Sequence, residues 1–330
     1  MFSSIPFEVP GAFASGLADG SLTRIGTLIK NTGTGRIIAH VQETGIGQQL
    51  VSGFVGSPFS PSSALNAGSS FVANAQLSQL KRMVEGLQIL QYANLGVAVA
   101  GLGVSIVGFA VISMKLKKIE QSIEHLSQKI DLRFEEFYER QLRRDLSKIR
   151  GMFERIELAQ RLSDPRIELH SVASSLTEAS STLRDQLEFR LSLNTFDEQL
   201  FSLLSQSMML CDTARVEAYL LAEEFDSAHL AANNIAAVYS ELFDDLSPYE
   251  LAAKRQIEHS VARGKTLSEL RRDRVGMQDL VAGVRDITDA AMTKPYLIET
   301  LEEQDISGSD YIKRLRSERE QPVLLLTRAD

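Results

Sequence analysis

Gly86 to Met114 reads GLQILQYANLGVAVAGLGVSIVGFAVISM, and the reading of this stretch decides the reading of the rest. It runs for roughly 29 residues without a charge, where about 20 apolar residues suffice to cross a bilayer as a helix. Leu95 to Ile112 holds only Leu, Ile, Val, Phe, Ala and Gly apart from Ser105. Lys81 and Arg82 precede it, and Lys115, Lys117 and Lys118 follow it. Tyr92 lies near one end, where an amphipathic ring suits a membrane interface. A core helix of a bundle is seldom apolar on every side for so long. The stretch therefore predicts a single transmembrane helix, Leu87 to Met114.

The rest of the chain gives no such signal. It has 330 residues, 24% of them charged, and a mean hydropathy of -0.07. Those are ordinary values for a globular protein, so the apolarity is local. No basic residue precedes Arg24, unlike a secretory leader, and Phe2 excludes a myristoylation signal. Basic residues flank the apolar run unequally: Lys81 and Arg82 on one side, and Lys115, Lys117, Lys118, Lys129 and Arg133 on the other. By the positive-inside rule the C-terminal side is expected in the cytoplasm, which predicts a single-pass membrane protein.

Four regions separate outward from the run. Residues 1–45 are strand-like: LTRIGTLIK (22–30) and RIIAHVQE (36–43) are joined by NTGTG, the chemistry of a hairpin turn. A lone hairpin is marginal in water, so it needs a partner. Residues 46–75 are rich in Gly, Ser, Pro and Asn and read as a connector, although Leu50, Phe54, Phe59 and Phe71 suit packing. Residues 76–160 predict a long helix that carries the span. Beyond it Leu116, Ile119, Ile123, Leu126 and Ile130 recur in steps of three and four, and Leu146, Ile149, Phe153 and Ile156 resume the seam. That pattern predicts a coiled-coil stalk. Residues 161–330 read as a helical bundle. Its helices are expected at 165–192, 196–209, 213–225, 227–243, 248–263, 267–292 and 310–318, with Ser163-Asp164-Pro165 and Ser247-Pro248 marking two starts. The tail QPVLLLTRA (321–329) suits a short strand or hook. The fold class expected is mainly α, a transmembrane helix continuing into a cytoplasmic bundle, with a small β-hairpin region at the N-terminus.

On a helical wheel Leu95, Val99, Leu102, Ile106 and Phe109 share one face. Gly96, Ala100 and Gly103 lie on one flank of that face; Gly101, Ser105 and Gly108 lie on the other. Small residues let helices approach closely in lipid, and two small flanks fit a helix with a neighbour on each side, as in a ring. Val97, Val104 and Val111 would then face the axis and form a hydrophobic constriction. A simple anchor or dimer fits the same glycines, so a non-conducting scaffold or receptor on a coiled-coil stalk stands as the alternative.

Catalytic signatures are missing: there is no Walker loop, GxSxG, HExxH or paired-cysteine motif. The histidines, His40, His125, His170, His229 and His259, lack metal-ligand spacing. Cys211, the single cysteine, sits in SMMLCDTA and reads as a buried structural thiol. No enzyme, metal or cofactor is expected. Two basic clusters remain: Arg140 and Arg144 in ERQLRRD, and Arg271, Arg272 and Arg274 in LRRDR. They read either as solvated, salt-bridged faces or as a site for the phosphates of a nucleotide or oligonucleotide.

A β-rich N-terminus, one Gly-rich span (Leu87 to Met114) and a large helical bundle together resemble bacterial anti-phage membrane effectors of the Hailong channel type. The resemblance is one of layout. It implies a homo-oligomeric channel in the bacterial inner membrane. It also implies closure by an oligonucleotide that a partner nucleotidyltransferase makes.

Overall fold

Apolar residues in steps of three and four build the helices that carry the domain. The structure is a computed structural model that describes residues 11–43, 133–260, 267–317 and 323–327. The stretch 86–114, the connector 46–75 and the seam from Leu116 to Ile130 lie outside the described residues. Described in chain order are α1 (Gly11–Ala18), β1 (Leu22–Ile25), β2 (Leu28–Asn31), β3 (Ile37–Glu43), α2 (Arg133–Ala159) and α3 (Arg166–Ser192). They are followed by α4 (Glu198–Leu221), α5 (Phe225–Phe243), α6 (Pro248–Ser260), α7 (Leu267–Glu303), α8 (Gly308–Ser317) and β4 (Val323–Thr327). The architecture is thus mainly helical with a small antiparallel sheet, as the residue pattern predicts.

α4 is the hub. From Phe201 to Leu221 it is buried on nearly every side, because α2, α3, α5 and α8 all pack on it. α3 offers it Leu169, Val172, Leu176, Leu183 and Leu187, a seam at helical spacing. α2 presents Leu142, Leu146, Ile149, Phe153 and Ile156, all buried. The second half of the expected coiled-coil seam therefore packs within the chain's own bundle. Arg316 of α8 fastens three helices at once by pairing with Glu217 of α4 and with Glu157 of α2. The start of α8 is capped by Glu223: Ser307 Oγ and the backbone N–H groups of Gly308 and Ser309 donate to its carboxylate at 2.7 to 3.0 Å. Burial works against that charge, yet the donors from Ser307, Ser309 and Gly308 hold its pKa below the usual range.

The sheet runs β1-β2-β3-β4, antiparallel throughout. LTRIGTLIK is not one strand but a hairpin, β1 and β2, turning at Gly26-Thr27 with Leu28 opposite Ile25. NTGTG then joins β2 to β3. The partner that a marginal hairpin needs is the tail: β4 pairs with β3, Leu324 opposite Gln42 and Leu326 opposite His40. The sheet docks on α7. The Thr293 hydroxyl donates to the Ala290 carbonyl, so Thr27 Oγ1 donates to Thr293 Oγ1 at 2.7 Å, and His40 Nε2 lies 2.9 Å from Thr300 Oγ1. The Thr300 hydroxyl already donates to the Tyr296 carbonyl, so His40 is the donor in that contact.

This pairing corrects the expected topology. A single crossing between residues 43 and 133 would put β3 and β4 on opposite sides of about 30 Å of hydrocarbon. Paired strands lie about 4.8 Å apart. Moreover, among the described residues no helix is long and apolar enough to cross a membrane. The single-pass inner-membrane placement, with the C-terminal domain alone in the cytoplasm, is therefore withdrawn.

A cross-link tests the pairing. Directly opposed residues have Cβ atoms about 4.5–5.5 Å apart. The buried Gln42 amide has no hydrogen-bond partner among the described residues, so its loss costs little. Gln42→Cys combined with Leu324→Cys is expected to form an intrachain disulfide under mild oxidation, read as a cross-linked peptide by mass spectrometry. If only reduced peptides are recovered from oxidised protein, the two ends are not paired.

Candidate functional site

A polar junction of the core lies where α3, α4, α5 and α7 meet. α4 carries MMLCDTARVEAYLL, in which Asp212 follows the apolar run Met208 to Cys211. Asp212 is not a helix break, as the expected ends at residues 209 and 213 would have it; the helix runs through. The carboxylate binds neighbouring helices instead of the local backbone. Ser180 Oγ of α3 donates to Oδ1 at 2.7 Å, and the Tyr239 hydroxyl of α5 donates to Oδ2 at 2.9 Å. Tyr239 is held against Phe243, which in turn meets Phe201 edge-on.

Beside the carboxylate lies a cavity of about 20 Å³, with Asp212, Thr213, Tyr239 and Lys294 as its polar wall and Val216 and Ile235 among its apolar one. That volume suits a single water; an organic ligand needs roughly 300 Å³ or more. Lys294 is buried because α7 continues past the expected end at Met292, through Pro295, to Glu303. Pro295 removes one intrahelical donor, but Thr293, Lys294, Leu297, Ile298 and Leu301 all gain burial by the continuation.

Burial sets the electrostatics. It pushes the Asp212 pKa up to about 6, against the pull of the Ser180 and Tyr239 donors. It lowers Lys294 to about 8. Burial, with Asp212 alongside, drives the Cys211 thiol well above its ordinary value, so Cys211 is the structural thiol that its apolar setting predicts. The Tyr239 phenol is raised in the same way. The cluster can hold a proton and a water; the Ser180 and Tyr239 hydroxyls are engaged as donors to the carboxylate.

The residues singled out from the sequence fall elsewhere. Val97, Val104, Val111 and the small residues Gly96, Ala100, Gly101, Gly103, Ser105 and Gly108 lie outside the described residues. Arg140 and Arg144 are on α2, with Arg144 exposed. Arg271, Arg272 and Arg274 are on α7. α2 packs on α3 and α4, whereas α7 packs on α5 and α6, so the two clusters ride on helices with different partners. Arg274 lies over the Tyr249 ring, 4.4 Å from its centre, and its Nη2 donates to the Tyr249 hydroxyl at 2.7 Å. A phosphate at Arg274 would have to compete with that stack. Asp212, the residue missed, has a visible signal: it directly follows the apolar run Met208 to Cys211, and an acid buried in such a setting needs partners.

No family model, curated protein or solved structure matches the chain.

Proposed function

We propose that the chain is a homo-oligomeric, membrane-permeabilising effector whose folded domain is a base for the segment between Glu43 and Arg133. The observation that supports this is the closure of the base from both ends of the chain: β3 pairs with β4, so the segment is tethered at both ends to one body. The segment contains the roughly 29-residue charge-free run, long enough to enter a bilayer. In this reading the run crosses as one helix, and the rest of residues 44–132 brings the chain back to the side where the base lies. Gly96, Ala100 and Gly103 and the second flank of Gly101, Ser105 and Gly108 supply close packing between copies. Val97, Val104 and Val111 line the constriction.

Vesicles loaded with a self-quenched dye test the reading. Purified full-length chain added to phosphatidylethanolamine–phosphatidylglycerol vesicles is expected to release the dye. Val104→Asp is expected to raise release several-fold, since a charge on the axis wets an apolar constriction that otherwise dewets. Vesicles that stay sealed under the wild-type chain, or leak equally under Val104→Asp, would overturn it and leave the scaffold alternative.

A further inference from the structure

We infer that the Asp212 junction is a proton-operated latch, in which a neutral Asp212 closes α3, α4, α5 and α7 tightly and a charged one holds water in the cavity and loosens them. The inference concerns the folded domain alone and stands apart from the vesicle experiment.

The geometry has three parts. First, one carboxylate joins three helices, through Ser180 on α3 and Tyr239 on α5. Second, the cavity beside it has room for one water and offers polar partners from α4, α5 and α7. A charged carboxylate deprived of bulk solvent attracts that water; a neutral one needs it less. Third, α7 links the latch to the sheet. Lys294 lines the cavity, and the adjacent Thr293 holds Thr27 of the β1–β2 turn.

The groups facing Asp212 come from each helix around it. α3 supplies the Ser180 hydroxyl, which does not titrate. α4 itself supplies the Cys211 thiol and the Arg215 guanidinium. α5 supplies the Tyr239 phenol and α7 the Lys294 ammonium. Cys211 and Tyr239 are raised and stay neutral below pH 8, and Lys294, at about 8, stays protonated below it. Asp212, near 6, is thus the member of this cluster that changes charge between pH 5 and 7. The sign follows from linkage. A carboxyl raised in the folded state binds its proton more tightly there than in the unfolded chain. Its contribution to stability therefore grows as pH falls through about 6 and is complete below the ordinary value of 3.8.

The test compares urea unfolding of full-length wild type and Asp212→Asn from pH 4.5 to 7.5. The ratio of the two unfolding constants is expected to change by up to about tenfold per pH unit below pH 6, with the wild type gaining as pH falls. Histidines and surface carboxylates are common to both chains and cancel in the ratio. A ratio that is flat with pH would overturn the latch. Should Asp212→Asn fail to fold, infrared titration of the wild type reads the same proton as a buried carboxylic-acid band. That band is expected to have a midpoint near pH 6. Tyr239→Phe, which removes one donor to the carboxylate, is expected to move the midpoint upward. A midpoint in the ordinary carboxylate range, or one unmoved by Tyr239→Phe, would overturn the latch equally.

Discussion

Phe153→Ala is expected to destabilise the folded domain by about 3–5 kcal/mol, with a midpoint that does not depend on protein concentration. Phe153 sits in the α2 seam with Leu142, Leu146, Ile149 and Ile156, and is 1% exposed. From the sequence alone the same seam suits a coiled coil between copies, and the two arrangements differ in one measurable respect. A seam buried within the chain loses stability by a unimolecular cost: lost transfer energy plus the cavity that α3 and α4 cannot close. A seam buried between copies loses association, so its midpoint would move with dilution. Urea unfolding at two concentrations twentyfold apart separates them. A midpoint that shifts with dilution in the wild type and loses that shift in Phe153→Ala would return α2 to the stalk.

The docking of the sheet on α7 gives the second large effect, expected at Gly26. Gly26 has φ +54, and a Cβ there would stand 2.6 Å from the Ala290 Cα and from the Asp289 carbonyl oxygen. Those are backbone atoms of α7, so no rotamer change relieves them. Gly35 is the natural control, with φ +69 and nothing within 4 Å of its Cβ position. Gly35→Ala bears only the left-handed penalty, about 1–2 kcal/mol. Gly26→Ala adds overpacking worth about 1–3 kcal/mol, for a total of roughly 2–5 kcal/mol. The excess measures the close approach of sheet and helix. Gly26→Ala is further expected to raise hydrogen exchange in both β1–β2 and β4, because β4 is held through the same sheet. Equal costs at the two glycines, with β4 still protected, would mean that the sheet does not bear on α7.

Much of the bundle is legible in residue order. The starts of α3 at Arg166 and α6 at Pro248 follow from Ser-Asp-Pro and Ser-Pro, because such ends are set by neighbours in the chain. The seams of α2, α3 and α5 are also visible, since one buried face imposes helical spacing. Less visible are features that depend on distant partners. The expected break near Cys211-Asp212 is absent because Ser180 and Tyr239 satisfy Asp212 within a continuous α4. The expected end of α7 at Met292 is absent because burial after Pro295 outweighs one lost hydrogen bond. Asp212 alone of the candidate site leaves a local signal; that Ser180, Tyr239 and Lys294 join it is not legible, because the four residues come from four helices.

Residue order by itself determined that this chain is mainly helical, where most helices begin, that Cys211 is buried, and that an N-terminal β-hairpin requires a partner. Those properties depend on local spacing, capping and turn chemistry. Only the tertiary structure decided that the partner is the C-terminal strand and that the sheet built from residues 22–43 docks on the bundle. It likewise decided that a carboxylate serves as the junction of the core. Strand pairing and burial of a charge join residues as far apart as Ala39 and Thr327, and no periodicity within a segment records a contact that another segment completes.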